Sequence, residues 1–185
     1  RGEERTIIGA VSDERVFRPN ELERLPDVER VVRVLNDWKI ISREADEEDG
    51  RIVVRGVIFG GAKRLDITAD TDRVQKADAV FVDPFYLPAR PYEKVDEQRE
   101  NLRVRAIVQE ISDLQKTGKP VIVRIRDVRQ IDEALSASAD ILYLGGSMMT
   151  NRTLLDEVGR LNTPVVLCKD KHHRVDDWLV AAEHI

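Results

Sequence analysis

Four cations are the first candidates for chemistry in this sequence. Arg124 and Arg126 stand two apart in the apolar run V-I-V-R-I-R-D, Lys169 lies in T-P-V-V-L-C-K-D, and Arg90 lies in L-P-A-R-P-Y. Residues two apart on a strand share a face, so Arg124 and Arg126 point the same way. Charges inside a sheet need partners or a ligand, so these two, with Lys169 and Arg90, could hold an anion. The plainer alternative pairs Arg124 with an acid across the sheet and leaves Arg126 at the strand end in solvent. Cys168, Asp170, His172 and His173 cluster after the same strand as Lys169. They fall short of a zinc ligand set and read instead as a buried thiol, a loop with two exposed imidazoles, and a helix starting near Asp176. Asp66, Asp70 and Asp72 in D-I-T-A-D-T-D lack the Gly and distal Glu of a calcium loop, so turn and capping roles are expected. Gly145-Gly146 could cradle a phosphate on a helix N-terminus. No G-x-G-x-x-G or G-K-[ST] completes that motif, and a tight turn is expected. No metal site and no catalytic residue is read from these groups.

The elements that must position them change character along the chain. Residues 5–11 are β-rich. Residues 20–31 read as a short helix capped by Asn20 and ended or kinked by Pro26, and V-V-R-V-L-N-D-W-K-I-I-S-R-E reads as extended. R-I-V-V-R-G-V-I-F-G-G reads as a hairpin, giving a small α+β unit over 1–60. Over 61–185 five short apolar strands follow: R-L-D-I-T, D-A-V-F-V-D, K-P-V-I-V-R-I-R-D, A-D-I-L-Y-L-G-G and T-P-V-V-L-C-K-D. Helix-like segments separate most of them. The clearest, 96–117, carries Leu102, Ile107, Ile111 and Leu114 as its apolar positions and Gly118 at its end. Alternation of this kind predicts a parallel sheet covered on both faces. An open doubly wound sheet and an arc of an eight-stranded barrel both fit the pattern.

Composition bounds the rest. The 185 residues are 42% hydrophobic and 35% charged, a globular balance, and the net charge of −5 argues against a nucleic-acid partner. No stretch is apolar and long enough to span a bilayer, so no membrane partner is expected. The single Cys168 and the lack of a visible signal peptide point to a cytoplasmic location.

Several stretches carry a family likeness: E-R-T-I-I-G-A-V-S-D-E-R, V-E-R-V-V-R-V-L-N-D-W-K-I-I-S-R-E, S-A-D-I-L-Y-L-G-G-S-M-M-T-N-R-T-L-L-D-E-V-G-R-L-N-T-P-V-V-L and D-D-W-L-V-A-A-E-H-I. They resemble the 3-deoxy-arabino-heptulosonate-7-phosphate (DAHP) synthases of the subtype with an N-terminal ferredoxin-like regulatory domain, in the same order and over nearly the whole chain. The resemblance implies a partial ferredoxin-like domain over 1–60 and an incomplete TIM-type (β/α) barrel of about five strands over 61–185. It implies an activity as well: condensation of phosphoenolpyruvate with erythrose 4-phosphate, with a divalent metal such as Mn²⁺, at the head of the shikimate pathway to aromatic amino acids.

Against the family's motifs the site positions differ. The metal-binding Cys of G-P-C-S has no counterpart in D-I-T-A-D-T-D. In the loop resembling K-P-R-[ST]-x-P-Y, Pro88, Pro91 and Tyr92 remain, Leu87 stands for the Lys, Ala89 for the Arg, and one position is missing. Val123-Arg124 replaces a Thr-Glu pair, Ser147 replaces the Arg of Q-I-G-A-R-N, and Cys168 and Lys169 replace the Lys and Arg of L-K-R-G. The chain also ends after the fifth strand–helix unit, before the units that supply the family's metal-binding His, Glu and Asp. The expectation is a pseudoenzyme: no cofactor, a former substrate loop at Pro88, Pro91 and Tyr92, and a regulatory or oligomerising role. Its partner would be a second copy or an authentic synthase, with a phosphorylated small molecule as candidate ligand. The alternatives are an active synthase of which this chain is a part, and a small anion-binding domain using Arg90, Arg124, Arg126 and Lys169.

Overall fold

The computed structural model describes residues 8, 18–31, 38, 40, 41, 50–86 and 97–185. The chain divides into two compact units, Arg1–Asp49 and Gly50–Ile185. The hairpin over 51–60 therefore goes with the larger unit, whereas the sequence reading drew its boundary after residue 60.

In the smaller unit the described helix is α1, Pro19–Leu22. Asn20 does not cap it. Arg18 holds the cap position without a side-chain bond, and Pro19 opens the helix, where its missing N–H costs nothing. The helix ends at Leu22 rather than at Pro26. The strand expected at 5–11 and most of the extended stretch after Val31 lie outside the described residues.

The larger unit begins with an antiparallel hairpin, β1 (Arg51–Val54) and β2 (Val57–Gly60). Its two-residue turn has both central residues at positive φ, Arg55 at 47° and Gly56 at 79°, the twist that fits a tight hairpin. Then comes a five-stranded parallel sheet: β3 (Ile67–Thr68), β4 (Ala79–Val82), β5 (Val121–Ile125), β6 (Ile141–Leu144) and β7 (Val165–Leu167). All five sequence-predicted strands are present. Helices α2 (Glu97–Gln115), α3 (Gln130–Ser136), α4 (Arg152–Gly159) and α5 (Val175–Ala182) intervene or follow, and a 3₁₀ segment, Thr71–Lys76, joins β3 to β4.

The order β3-β4-β5-β6-β7 runs straight along the sequence. A doubly wound sheet reverses its strand order partway and carries helices on both faces. Here Ile107, Ile111 and Leu114 of α2, Ile131 and Ala134 of α3, Leu154, Leu155 and Val158 of α4 and Ala181 of α5 share one core. That core also holds Val80, Val121, Val123, Ile125, Leu142 and Leu144, the strand residues of a single parity. The architecture is thus an α/β arc of barrel type. The residues of opposite parity, Ala79, Ile122 and Ile141, pack with Val54 and Phe59 of the hairpin. So the second face is covered by the hairpin at its N-terminal end rather than by helices. Leu102 is not part of the stripe on α2: it is 65% exposed. It lies five residues before Ile107, which turns it about 140° away around the helix.

A polar cluster fastens the hairpin. Arg55 Nε donates to Asp140 Oδ1 at 2.8 Å, and its terminal nitrogen donates to Gln115 Oε1. Gln115 Nε2 donates to Asp140 Oδ2 at 2.9 Å and to the Ser138 carbonyl. Asp140 Oδ2 also accepts the Val121 N–H at 2.9 Å. One carboxylate thus joins the hairpin, the end of α2 and the starts of β5 and β6.

Candidate functional site at the carboxyl end of the sheet

Parity places Phe81, Ile122, Arg124, Tyr143, Val166 and Cys168 on the face opposite the helices, with Asp83 and Arg126 continuing that register just past β4 and β5. The N-terminal half of this face is apolar and the carboxyl half is polar. Barrel folds present their sites at that carboxyl end.

Asp83 organises the polar half. Arg124 Nη1 donates to Asp83 Oδ2 at 3.3 Å. Arg126 Nε donates to Asp83 Oδ1 at 3.3 Å, and Arg126 Nη2 donates to Oδ2. The Arg126 backbone N–H donates to Gln130 Oε1 at 2.8 Å, which ties this residue to the first turn of α3. The Arg124 guanidinium lies 5.8 Å from the centre of the Tyr143 ring, and that of Arg126 lies 5.5 Å from the Tyr86 ring. Both are cation–π distances. Phe81 meets Tyr143 edge to face at 5.2 Å. Arg124 Nε is buried and has no hydrogen-bond partner. The three charged side chains are 24–32% exposed, so solvent reaches the cluster without flooding it.

The turn after β6 supports Arg124. A Cβ at Gly145 would stand 2.6 Å from Arg124 Nη2, so only glycine lets the guanidinium lie against this turn. A Cβ at Gly146 would stand 2.7 Å from the Asp170 Cα, which seats the loop after β7 directly on the 3₁₀ segment Gly146–Thr150. Gly145-Gly146 is the tight turn expected of it. Next to it, the Tyr143 phenol is pushed above its ordinary range, first by its hydrogen bond with Cys168 and then by burial. The Arg124 guanidinium pulls the other way.

Lys169 does not join the arginines. Its ammonium donates to the carbonyls of Asp170 at 2.5 Å and His173 at 2.7 Å, inside its own loop. Asp170 Oδ1 accepts the His172 N–H at 2.7 Å, and this bond leads the causes that hold its carboxyl below the ordinary range. Cys168 is half-buried, as is His173, whose Nδ1 lies 3.7 Å from Asp170 Oδ1. The loop therefore exposes His172 but not both imidazoles. The next helix starts at Val175, one residue before the expected Asp176.

Asp70 caps the 3₁₀ segment by accepting the Asp72 N–H at 3.0 Å. The Asp66 carbonyl accepts the Asp78 N–H at 2.8 Å. The Asp70 carboxylate thus has the expected capping role, while the Asp66 bond is a main-chain link between the starts of β3 and β4. Among the described residues no three His, Cys, Asp or Glu side chains converge on a metal position. Arg90, Leu87, Pro88, Ala89, Pro91 and Tyr92 lie outside the described residues.

Of the anion-site candidates, then, the structure brings Arg124 and Arg126 together and sends Lys169 elsewhere. It supplies the acid across the sheet, Asp83, and gives that acid to both arginines, so Arg126 is not left to solvent. Sequence reasoning missed Asp83, Tyr86 and Tyr143 as members of the cluster. The signal for Asp83 was available: it has the parity of Phe81, in the strand next to Arg124.

A family model for the DAHP synthase ferredoxin-like domain matches residues 1–36. Over the whole chain, the phospho-2-dehydro-3-deoxyheptonate aldolase of Thermotoga maritima is 27% identical across 196 aligned residues. The chain resembles DAHP synthases from end to end. It spans 57% of that relative's length. Among solved structures, the Thermotoga maritima DAHP synthase superposes with a TM-score of 0.64 at 22% identity, over 94% of this chain and 53% of that one. A truncated form of the enzyme from the same organism gives 0.58 at 18% identity, over 80% and 56%. The N-acetylneuraminic acid synthetase of Leptospira borgpetersenii gives 0.53 at 15% identity, over 74% and 55%. At such identities the structural matches speak for the fold, and the fold agrees with the barrel-type arc.

Proposed function

We propose that this DAHP-synthase-like protein does not condense phosphoenolpyruvate with erythrose 4-phosphate, and serves as a regulatory or oligomerising subunit in the same pathway. The observation that carries this reading is the engagement of both strand arginines by Asp83 at the end of the sheet where phosphorylated substrates would have to be held. The condensation needs cations for two strongly anionic substrates and a Lewis acid at the aldehyde oxygen. Lys169 is turned onto carbonyls of its own loop. Leu87, Ala89 and Ser147 stand where the resemblance places a Lys and two Args. Among the described residues, Arg124, Arg126 and Lys169 are therefore engaged within the chain.

The subunit role draws on the sheet's margins. Among the described residues β3 and β7 are each paired on one side only, and Ile67 and Val166 on these strands are 46% and 38% exposed. Such edges invite pairing, with a second copy of the chain or with an authentic synthase. The competing reading, an active synthase of which this chain is a part, has the 57% coverage of the relative in its favour.

The test is phosphoenolpyruvate consumption in the presence of erythrose 4-phosphate and Mn²⁺, with mass by light scattering on the same sample. No turnover with a dimer or larger assembly is expected. Turnover at ordinary enzyme rates would refute the non-catalytic reading, and an inactive monomer would remove the oligomerising half of it.

A further inference from the structure

The two margins of the parallel sheet are not alike. At β7 the bonds to β6 run through Pro164 and Cys168: the Leu142 N–H donates to the Pro164 carbonyl at 3.0 Å, and the Cys168 N–H donates to the Leu144 carbonyl at 2.9 Å. Successive residues of a strand turn their backbone groups to opposite sides, so Val165 and Leu167 turn theirs outward. The Leu167 carbonyl is already taken, by the Trp178 indole N–H of α5 at 3.1 Å. The chain thus closes part of this edge itself. At β3 the Asp66 carbonyl accepts the Ala79 N–H at 3.4 Å, in the register that sets Ile67 beside Ala79. Ile67 therefore turns its N–H and C=O away from β4, and Leu65 and Ala69 follow by alternation. Among the described residues nothing pairs with this side of β3, and the Ile67 side chain is 46% exposed.

The charges along this segment are sorted by sign. Lys63 and Arg64 precede β3, Asp70 and Asp72 follow it, and all four are exposed. Asp70 is still extended, at φ −98° and ψ 119°, and uses Oδ1 to accept the Asp72 N–H. A parallel copy of this segment in register would set like charges side by side. An antiparallel copy centred on Ile67 sets Arg64 opposite Asp70 at both ends of the pairing. These are non-hydrogen-bonded positions, where facing side chains come closest. We propose that β3 is the seam of a twofold dimer of this chain. Ile67 of each copy exchanges N–H···O=C bonds with Ile67 of the other, Leu65 pairs with Ala69, and Arg64 pairs with Asp70. Such an interface is self-complementary and closed, and it covers a bare edge that would otherwise invite aggregation. The inference rests on the oligomerising half of the reading above and deepens it by naming the edge, the partner and the register.

The experiment uses the whole chain, with sedimentation velocity over a range of concentrations and backbone amide exchange as readouts. A reversible dimer is expected, in which the Ile67 amide becomes protected as concentration rises and the Val165 amide does not. Arg64→Glu and Asp70→Lys each set like charges opposite one another and should weaken the dimer about tenfold. An equimolar mixture of the two restores opposite charges at both ends and should recover the native affinity, which a loss of local stability cannot mimic. Ile67→Pro removes an outward N–H and no bond to β4, a substitution that an edge strand tolerates. It should leave a monomer with an unchanged circular dichroism spectrum. A native monomer at every concentration would overturn the proposal, and protection of its Ile67 amide would mean that another segment of the chain covers the edge. A dimer that all three variants leave intact, or one that protects Val165 instead, would overturn the β3 seam while the oligomerising role stands. Phosphoenolpyruvate consumption on the same samples reports separately on the catalytic question. Turnover by the dimer sinks the non-catalytic reading and leaves the seam in place.

Discussion

Replacing Asp140 by Ala should be the most damaging single change to a polar side chain in the larger unit. Its carboxylate is 14% exposed and accepts from three donors. The Val121 N–H, 2.9 Å away, is the decisive one, because Val121 is wholly buried and no water replaces the lost acceptor. An orphaned buried donor costs about 1–3 kcal/mol. The Gln115 amide, also 2.9 Å away, adds roughly 1 kcal/mol. The Arg55 ion pair adds less than about 1 kcal/mol, since Arg55 is 35% exposed and solvent screens it. The total is about 3 kcal/mol, a fall of about 10 °C in melting temperature for a unit of this size. Urea unfolding followed by circular dichroism measures it. Arg55→Ala in the same assay should cost under about 1 kcal/mol. Equal losses from the two variants would mean that the ion pair, not the buried N–H, holds the cluster, and the reasoning would fail.

Three further outcomes follow from local geometry. A Cβ at Gly159 would stand 2.3 Å from the His184 carbonyl oxygen and 3.1 Å from the Ile185 Cα; Gly159→Ala must displace this backbone and should cost about 1–3 kcal/mol in thermal unfolding. Ile111 is fully buried in the C-terminal half of α2, so Ile111→Ala should cost about 2–5 kcal/mol by chemical denaturation. The Asp127 carboxyl is held down to about 2 by the Arg129 side chain first and its backbone N–H second. A folded value below the unfolded one stabilises above about pH 4 and is lost as pH falls towards 2. The exposed pair keeps that contribution small. Carboxyl titration by NMR should move back towards about 4 in Arg129→Ala.

The five strands were legible because each is a short apolar run bounded by polar turns, and in β5 and β6 burial on both faces leaves that mark directly. The stripe Ile107, Ile111 and Leu114 was legible from spacing, while Leu102 was counted in on hydrophobicity although its angle around the helix turned it outward. The choice between barrel arc and doubly wound sheet was not legible, because strand order is a long-range property that local pattern does not encode. The candidate site was half legible. Parity put Arg124 and Arg126 together, but a lysine's direction depends on which carbonyls its own loop offers, and nothing in L-C-K-D announces that Lys169 bends back. Asp83 could have been found by extending the parity argument one strand over. The hairpin's seat against Ala79, Ile122 and Ile141 had no local signature at all.

The hairpin also sets a timetable for synthesis. Among the described residues each sheet strand pairs only with its sequence neighbours, so strands can add one at a time as the nascent chain leaves the ribosome, with little loop to close at each step. The hairpin does not follow this order. Its anchor, Asp140, lies 85 residues beyond Arg55, so β1 and β2 emerge early and remain unfastened until β6 has been made. During that interval the apolar side chains of Val54 and Phe59 have only part of their seat, since Ile141 is still to come, and this is when a chaperone or a misplaced neighbour would find them.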